Sequence, residues 1–172
     1  LANDQAFQKR YMSLPFDVPD NRFRKSVTTL TGDEGVFAVT AEGLSKLRPV
    51  KEGGSITFGG QTHPADGNAC MVVATPDKAR ELSKDKNVVI EILGFGMARA
   101  ELAYMPEAPV PAAMKALEKA GLTIADLDAV KTHNPFAAND IYMSKQMNLD
   151  INTFNNYGSS LVFGHPQAPT AG

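Results

Sequence analysis

Residues 87–95, Asn87-Val88-Val89-Ile90-Glu91-Ile92-Leu93-Gly94-Phe95, decide the fold class. The β-branched run Val88-Val89-Ile90 predicts a strand, because branched side chains fit a pleated surface better than a helix. Upstream, Thr75-Pro76-Asp77 combines a capping hydroxyl, a proline at the first helical position and an acid in the first turn, so a helix is expected to about residue 84. Before it, Ala69-Cys70-Met71-Val72-Val73-Ala74 is apolar throughout and predicts a strand buried on both faces. Downstream, Pro109-Val110-Pro111 opens a helix over 112–120 with Met114, Leu117 and Ala120 as its apolar stripe and Gly121 as its stop. A strand over 127–132, a helix over 138–147 and a strand over 159–163 follow, and 55–58 reads as a further short strand. Strands alternating with helices imply βαβ units: an α/β layered domain with at least partly parallel pairing.

Residues 1–50 lack that rhythm. A short helical pattern over 4–12 places Phe7 and Tyr11 on one face, and Thr40 can cap a helix that Pro49 stops. Between them Pro15, Pro19, Asn21, Gly32 and Gly35 break any long period. We therefore expect an irregular loop subdomain over 1–50 and the regular domain over 51–172.

Composition narrows the function classes. With 43% hydrophobic residues the 172-residue chain can bury a core, which argues against disorder. Seventeen basic and 19 acidic side chains give a net charge of −2, so nucleic acid or an anionic membrane surface is not expected as a partner. No apolar run approaches the roughly 20 residues that span a bilayer. The start Leu1-Ala2-Asn3-Asp4 has no basic or apolar leader pattern, and the single cysteine, Cys70, allows no internal disulfide. A reducing, cytoplasmic location is the expectation. The absence of an initiator Met and the close at Ala171-Gly172 lead us to expect a longer protein with both ends cut.

All three histidines stand in turns, each followed within two residues by proline: Thr62-His63-Pro64, His133-Asn134-Pro135-Phe136 and Gly164-His165-Pro166. His133 and His165 each end a β-type run, where open α/β sheets place their binding crevice. There an imidazole can serve as general base, general acid or oxyanion donor near pH 7, or merely bond a carbonyl at a strand end. His63, with Asp66 nearby, is read as structural. No histidine pair has zinc-ligand spacing, so no metal is expected. Cys70 lies in an apolar run and is read as a small core residue rather than a nucleophile. Two bases are thus in place without an evident nucleophile.

Four blocks in order resemble the thiolase family. Gly54-Ser55-Ile56-Thr57 with Ala65-Asp66-Gly67 is similar to the family's G-T-V-T-x-G-N-x-S-x-x-N-D-G-A-A segment. Pro109-Val110-Pro111-Ala112 with Ala116-Leu117-Glu118-Lys119-Ala120-Gly121-Leu122 resembles G-P-V-P-A-x-x-x-A-L-x-x-A-G-L. His133-Asn134-Pro135-Phe136-Ala137 stands where thiolases carry N-E-A-F-A or, in the sterol-carrier-linked branch, H-D-C-F. Asn156-Tyr157-Gly158-Ser159-Ser160 with Gly164-His165-Pro166 looks like N-x-x-G-G with G-H-P. Together they cover about residues 54–172.

The resemblance implies a thiolase-like layered α-β-α domain with a mixed sheet, preceded by part of a loop domain. It implies CoA-dependent acyl transfer: thiolysis of a 3-oxoacyl-CoA, or the reverse Claisen condensation, with coenzyme A as co-substrate and no covalently bound cofactor. His165 then activates a cysteine nucleophile and shares in an oxyanion hole, with His133 as the second donor. Thr62 falls near the pantetheine arm, and Asn134, Pro135 and Phe136 fall in the substrate-contacting block. A homodimer or homotetramer is the family expectation.

Departures accompany the likeness. The family's nucleophilic cysteine precedes the part matched by Leu1 and its C-x-G-x-G cysteine follows the part matched by Gly172, so this chain alone is expected to be inactive. Asn134 replaces an acidic residue, and Pro135 is unusual. These changes resemble thiolase-like subunits that work with a small zinc-bearing OB-fold partner. A non-catalytic interaction subunit, completed by a partner chain, is the competing expectation.

Overall fold

The computed structural model describes residues 6–36, 38–68 and 70–165. Asp4 of the first helical pattern, Ala69 of the apolar run, Pro166 of the last block and Ala171-Gly172 lie outside the described residues.

Six helices and one hairpin carry the regular structure among the described residues. Helix α1 spans Ala6–Tyr11, and strands β1 (Phe16–Pro19) and β2 (Ser26–Leu30) pair antiparallel. The hairpin was missing from the irregular reading of 1–50. Its turn is set by Asp20, whose carboxylate accepts from the backbone N–H of Arg22 and of Arg24 at 3.1 and 2.8 Å. Helix α2 (Ala41–Ser45) begins as expected, with the Thr40 hydroxyl accepting from Gly43 N–H.

Helix α3 covers Pro76–Leu82, α4 Pro109–Ala120 and α5 Ala137–Met147. In α4 the expected start moves three residues upstream, because Pro109 and Pro111 both fit the first turn, where no N–H is needed. Gly121 ends it in the left-handed conformation, with φ 68°. Met114, expected on the apolar stripe, is exposed. Leu117 and Ala120 are half-buried as expected, together with Ala112, Ala113 and Ala116. Alongside α4, the Lys115 ammonium donates to Met97 O at 3.2 Å and the Lys119 ammonium lies 4.3 Å from the Phe95 ring centre. Helix α5 buries Asn139, Met143 and Met147, a four-residue spacing that lines one face. Met143, Met147 and Phe154 are the buried apolar core.

The β-type runs depart most from expectation. Residues 159–163 form not a strand but helix α6 (Ser160–Phe163). The run Leu161-Val162-Phe163 is too short for its composition to separate the two periods. Residues 55–58 supply only an isolated bridge, Thr57 to Pro49, before a 3-10 turn at Phe58–Gly60. Residues 70–74, 87–95 and 127–132 belong to no ladder. A ladder needs a neighbouring edge to exchange hydrogen bonds, and among the described residues no segment provides one to them. Met71 is 78% and Ile90 85% exposed, and Cys70 is exposed rather than part of the core.

Candidate functional site

The turn after Gly60 organises the site. Gln61 bridges Phe136 antiparallel, Pro64 bridges His165 in parallel, and Thr62 N–H donates to Pro135 O at 2.8 Å. His165 N–H donates to His63 O at 2.7 Å. Residues 61–65 are therefore a splint against which both later histidine turns are pinned through backbone hydrogen bonds. Gly164, with φ 83°, lets the chain pass beside this splint: a Cβ there would stand 2.6 Å from Ala65 Cβ and 2.9 Å from His63 Nε2.

The pinning brings His133 and His165 together, with ring centres 4.4 Å apart and planes inclined by 47°. His133 Nδ1 lies 3.2 Å from Ser160 Oγ. The Thr62 hydroxyl donates to Ser160 O at 2.6 Å, so the residue expected near the pantetheine arm anchors the start of α6. His165 Nδ1 is screened from solvent with no hydrogen-bond partner among the described residues. The basicity of His133 is lowered, first by desolvation and then by the charge of His165. Such a pair favours one neutral imidazole at least, a state able to accept or donate a proton near pH 7.

Behind His133 lies a polar network that the sequence reading missed. Thr132 and Asn134, on either side of His133 in the chain, both hydrogen-bond to Asp140. The Asp140 carboxylate accepts from Asn134 Nδ2 at 2.5 Å, from Thr132 Oγ1 at 2.9 Å, and more weakly from Asn155 Nδ2 at 3.3 Å. Asn155 Oδ1 accepts in turn from Thr132 N–H at 2.8 Å, and Asn155 N–H donates to Val130 O. Asn155 takes the left-handed conformation, φ 57°, which asparagine tolerates better than most residues. Asn134 is 1% exposed. Its amide is oriented by Asp140, since a carboxylate takes only donors, and its Oδ1 is buried with no hydrogen-bond partner among the described residues.

Among the expected site residues, then, His133 and Thr62 both reach Ser160, His165 lies against the His133 ring, Pro135 and Phe136 pair with the splint through their backbone, and Asn134 joins the network around Asp140. Asp140, Asn155 and Ser160 were not singled out beforehand. The doubled asparagine Asn155-Asn156 ahead of Tyr157-Gly158 was the one local signal, a turn composition in which Asn155 rather than Asn156 reaches the network. No group of three or more His, Cys, Asp or Glu side chains able to hold a metal occurs among the described residues.

Residues 86–171 match the thiolase C-terminal domain. That match covers half of the chain and contains both histidines of the pair. The chain belongs to the thiolase family. It is 34% identical over 162 residues to an acetyl-CoA acetyltransferase of Allochromatium vinosum, covering 89% of this chain and 38% of that protein. The crystal structure of human mitochondrial 3-ketoacyl-CoA thiolase superposes with a TM-score of 0.78 at 30% identity, over 99% of this chain and 42% of that one. The same human enzyme in complex with CoA matches at TM-score 0.69 and 32% identity, over 81% and 35%. The fold is thus the layered α/β fold of thiolases, and the chain spans about 38% of the length of the curated relatives it matches. The apolar runs that carry no ladder belong to a fold whose relatives are more than twice as long.

Proposed function

We propose that the chain supplies the two-histidine side of a thiolase-type active site, in a protein that transfers acyl groups between a cysteine and coenzyme A. The observation that carries this reading is the approach of the His133 and His165 rings to 4.4 Å within a thiolase-family chain. Two imidazoles at that distance can divide the work between taking a proton and holding an oxyanion.

In thiolysis, His165 takes the proton of a cysteine thiol lying outside these residues, and the thiolate attacks the C3 carbonyl of a 3-oxoacyl-CoA. The C2–C3 bond breaks and its electron pair passes to the departing acetyl-CoA as an enolate, whose oxygen accepts hydrogen bonds from the two imidazoles until carbon is protonated. The acyl group left on sulfur then moves to the thiol of CoA, and the cysteine is regenerated. Condensation runs the same steps backwards. The relative crystallised with CoA supports coenzyme A as the co-substrate. In this reading Pro135 and Phe136, whose backbone pairs with the splint next to His133, border the acyl group.

The test is covalent labelling of the whole protein with an acyl-CoA, read by mass spectrometry. His165→Ala should abolish acylation of the nucleophilic cysteine. A full acylation burst in that variant would overturn the role of His165. CoA binding without acylation or turnover in the unaltered protein would instead make this an interaction subunit completed by another chain.

A further inference from the structure

Ser160 enters none of the roles above, yet it is the one side chain within hydrogen-bond distance of the His133 ring nitrogen Nδ1 among the described residues. Building on the two-histidine reading, we infer that Ser160 is a positioning residue for His133: its hydroxyl donates to Nδ1 and thereby keeps the proton of the neutral ring on Nε2.

Three observations carry this. The 3.2 Å contact joins side chains 27 residues apart, the His133 turn and the first turn of α6, so it is set by tertiary structure. The Ser160 backbone is itself held, because its carbonyl accepts the Thr62 hydroxyl at 2.6 Å and Thr62 is tied to Pro135. The hydroxyl is thus presented from a fixed platform rather than a free loop. A neutral imidazole carries one donor and one acceptor nitrogen, and the partner of one determines the role of the other. An oxyanion donor needs its N–H aimed at the substrate oxygen, so a serine donating to Nδ1 leaves Nε2–H for that task. The lowered basicity of His133, caused first by desolvation and then by the charge of His165, agrees with a ring that stays neutral.

Ring-nitrogen NMR of the whole protein, labelled at histidine, reads the tautomer directly and does not depend on turnover. The unaltered protein should show His133 with a protonated Nε2 and an acceptor Nδ1. In Ser160→Ala both tautomers should appear and His133 should titrate at higher pH, while Ser160→Thr, which keeps the hydroxyl, restores the original pattern. If the two-histidine reading holds, Ser160→Ala also lowers kcat for thiolysis by roughly tenfold or more, as loss of a ligand-orienting partner does elsewhere, with KM for the acyl-CoA little changed. His133 protonated on Nδ1 in the unaltered protein, or an unchanged tautomer and titration in Ser160→Ala, would overturn the inference. An unaltered protein that shows the expected tautomer but no cysteine acylation would overturn the proposed activity and leave the assignment to Ser160 standing.

Discussion

Asn134 and Asp140 are joined by a 2.5 Å amide-to-carboxylate hydrogen bond, and Asn134 is 1% exposed. Asn134 is held by its side chain to Asp140, while the neighbouring His133 ring packs against His165 and lies within hydrogen-bond distance of Ser160. Asp140→Ala should leave the Thr132 hydroxyl and the Asn134 amide without their acceptor, at a cost of about 1–3 kcal/mol in unfolding free energy, while Asn155 keeps its 2.7 Å bond to Thr132 Oγ1. Asp140→Asn keeps one acceptor oxygen and should lose less. Urea denaturation of the two variants beside the unaltered protein gives the comparison; equal midpoints for all three would mean that the network contributes nothing.

Acid should weaken the fold through His133. Its basicity in the folded state is lowered, whereas an unfolded histidine binds its proton near pH 6.5. Below that pH the unfolded chain holds more protons than the folded one, so stability falls with pH. The contribution is intact above about pH 6.5 and is lost as pH drops toward the folded value. His133→Gln should flatten that part of a stability-against-pH curve, and an unflattened curve would assign the slope to other groups.

Removing the neighbouring charge separates the two causes. In His165→Ala the desolvation of His133 persists and the repulsion from His165 is gone. His133 should then titrate closer to the ordinary histidine value while staying below it. NMR titration of the His133 ring measures this, and an unmoved titration would show that the two rings do not sense each other.

Gly121 and Gly164 both have positive φ, 68° and 83°, but differ in surroundings. A Cβ at Gly121 meets nothing within 4 Å, so Gly121→Ala should cost only the left-handed backbone penalty, roughly 1–2 kcal/mol. At Gly164 the Cβ would collide with Ala65 and with His63, and Gly164→Ala should be more destabilising and should also displace His165. Thermal midpoints rank the two; a Gly164 variant as mild as the Gly121 variant would contradict the crowding.

Helices were more legible than strands. Helix α5 begins one residue before its expected start and ends where expected at Met147, with Asn148 in the left-handed conformation beyond it, because helical hydrogen bonds are local and their stops are written in single residues. Strand-like composition at 70–74 and 87–95 states only a preference for a neighbour; the neighbour itself is a tertiary fact. The hairpin of Phe16–Pro19 and Ser26–Leu30 was obscured by its flanking prolines, although Val27-Thr28-Thr29 is β-branched throughout. At the site the three histidine turns could be read from histidine and proline placement. Asp140, Asn155 and Ser160 could not, since their partners lie 8, 23 and 27 residues away and the turn composition around Asn155 names no partner.

The splint at 61–65 also implies an order of assembly. Bringing His133 to His165 closes a loop of 165 − 133 = 32 residues, whereas bringing His63 to His165 closes one of 165 − 63 = 102. The longer closure costs about 1 kcal/mol more in chain entropy. Since this splint is what brings the two imidazoles together, the pair is held only once the longer loop has closed, and the hydrogen bonds from Thr62 and to His63 act as the latch of the site.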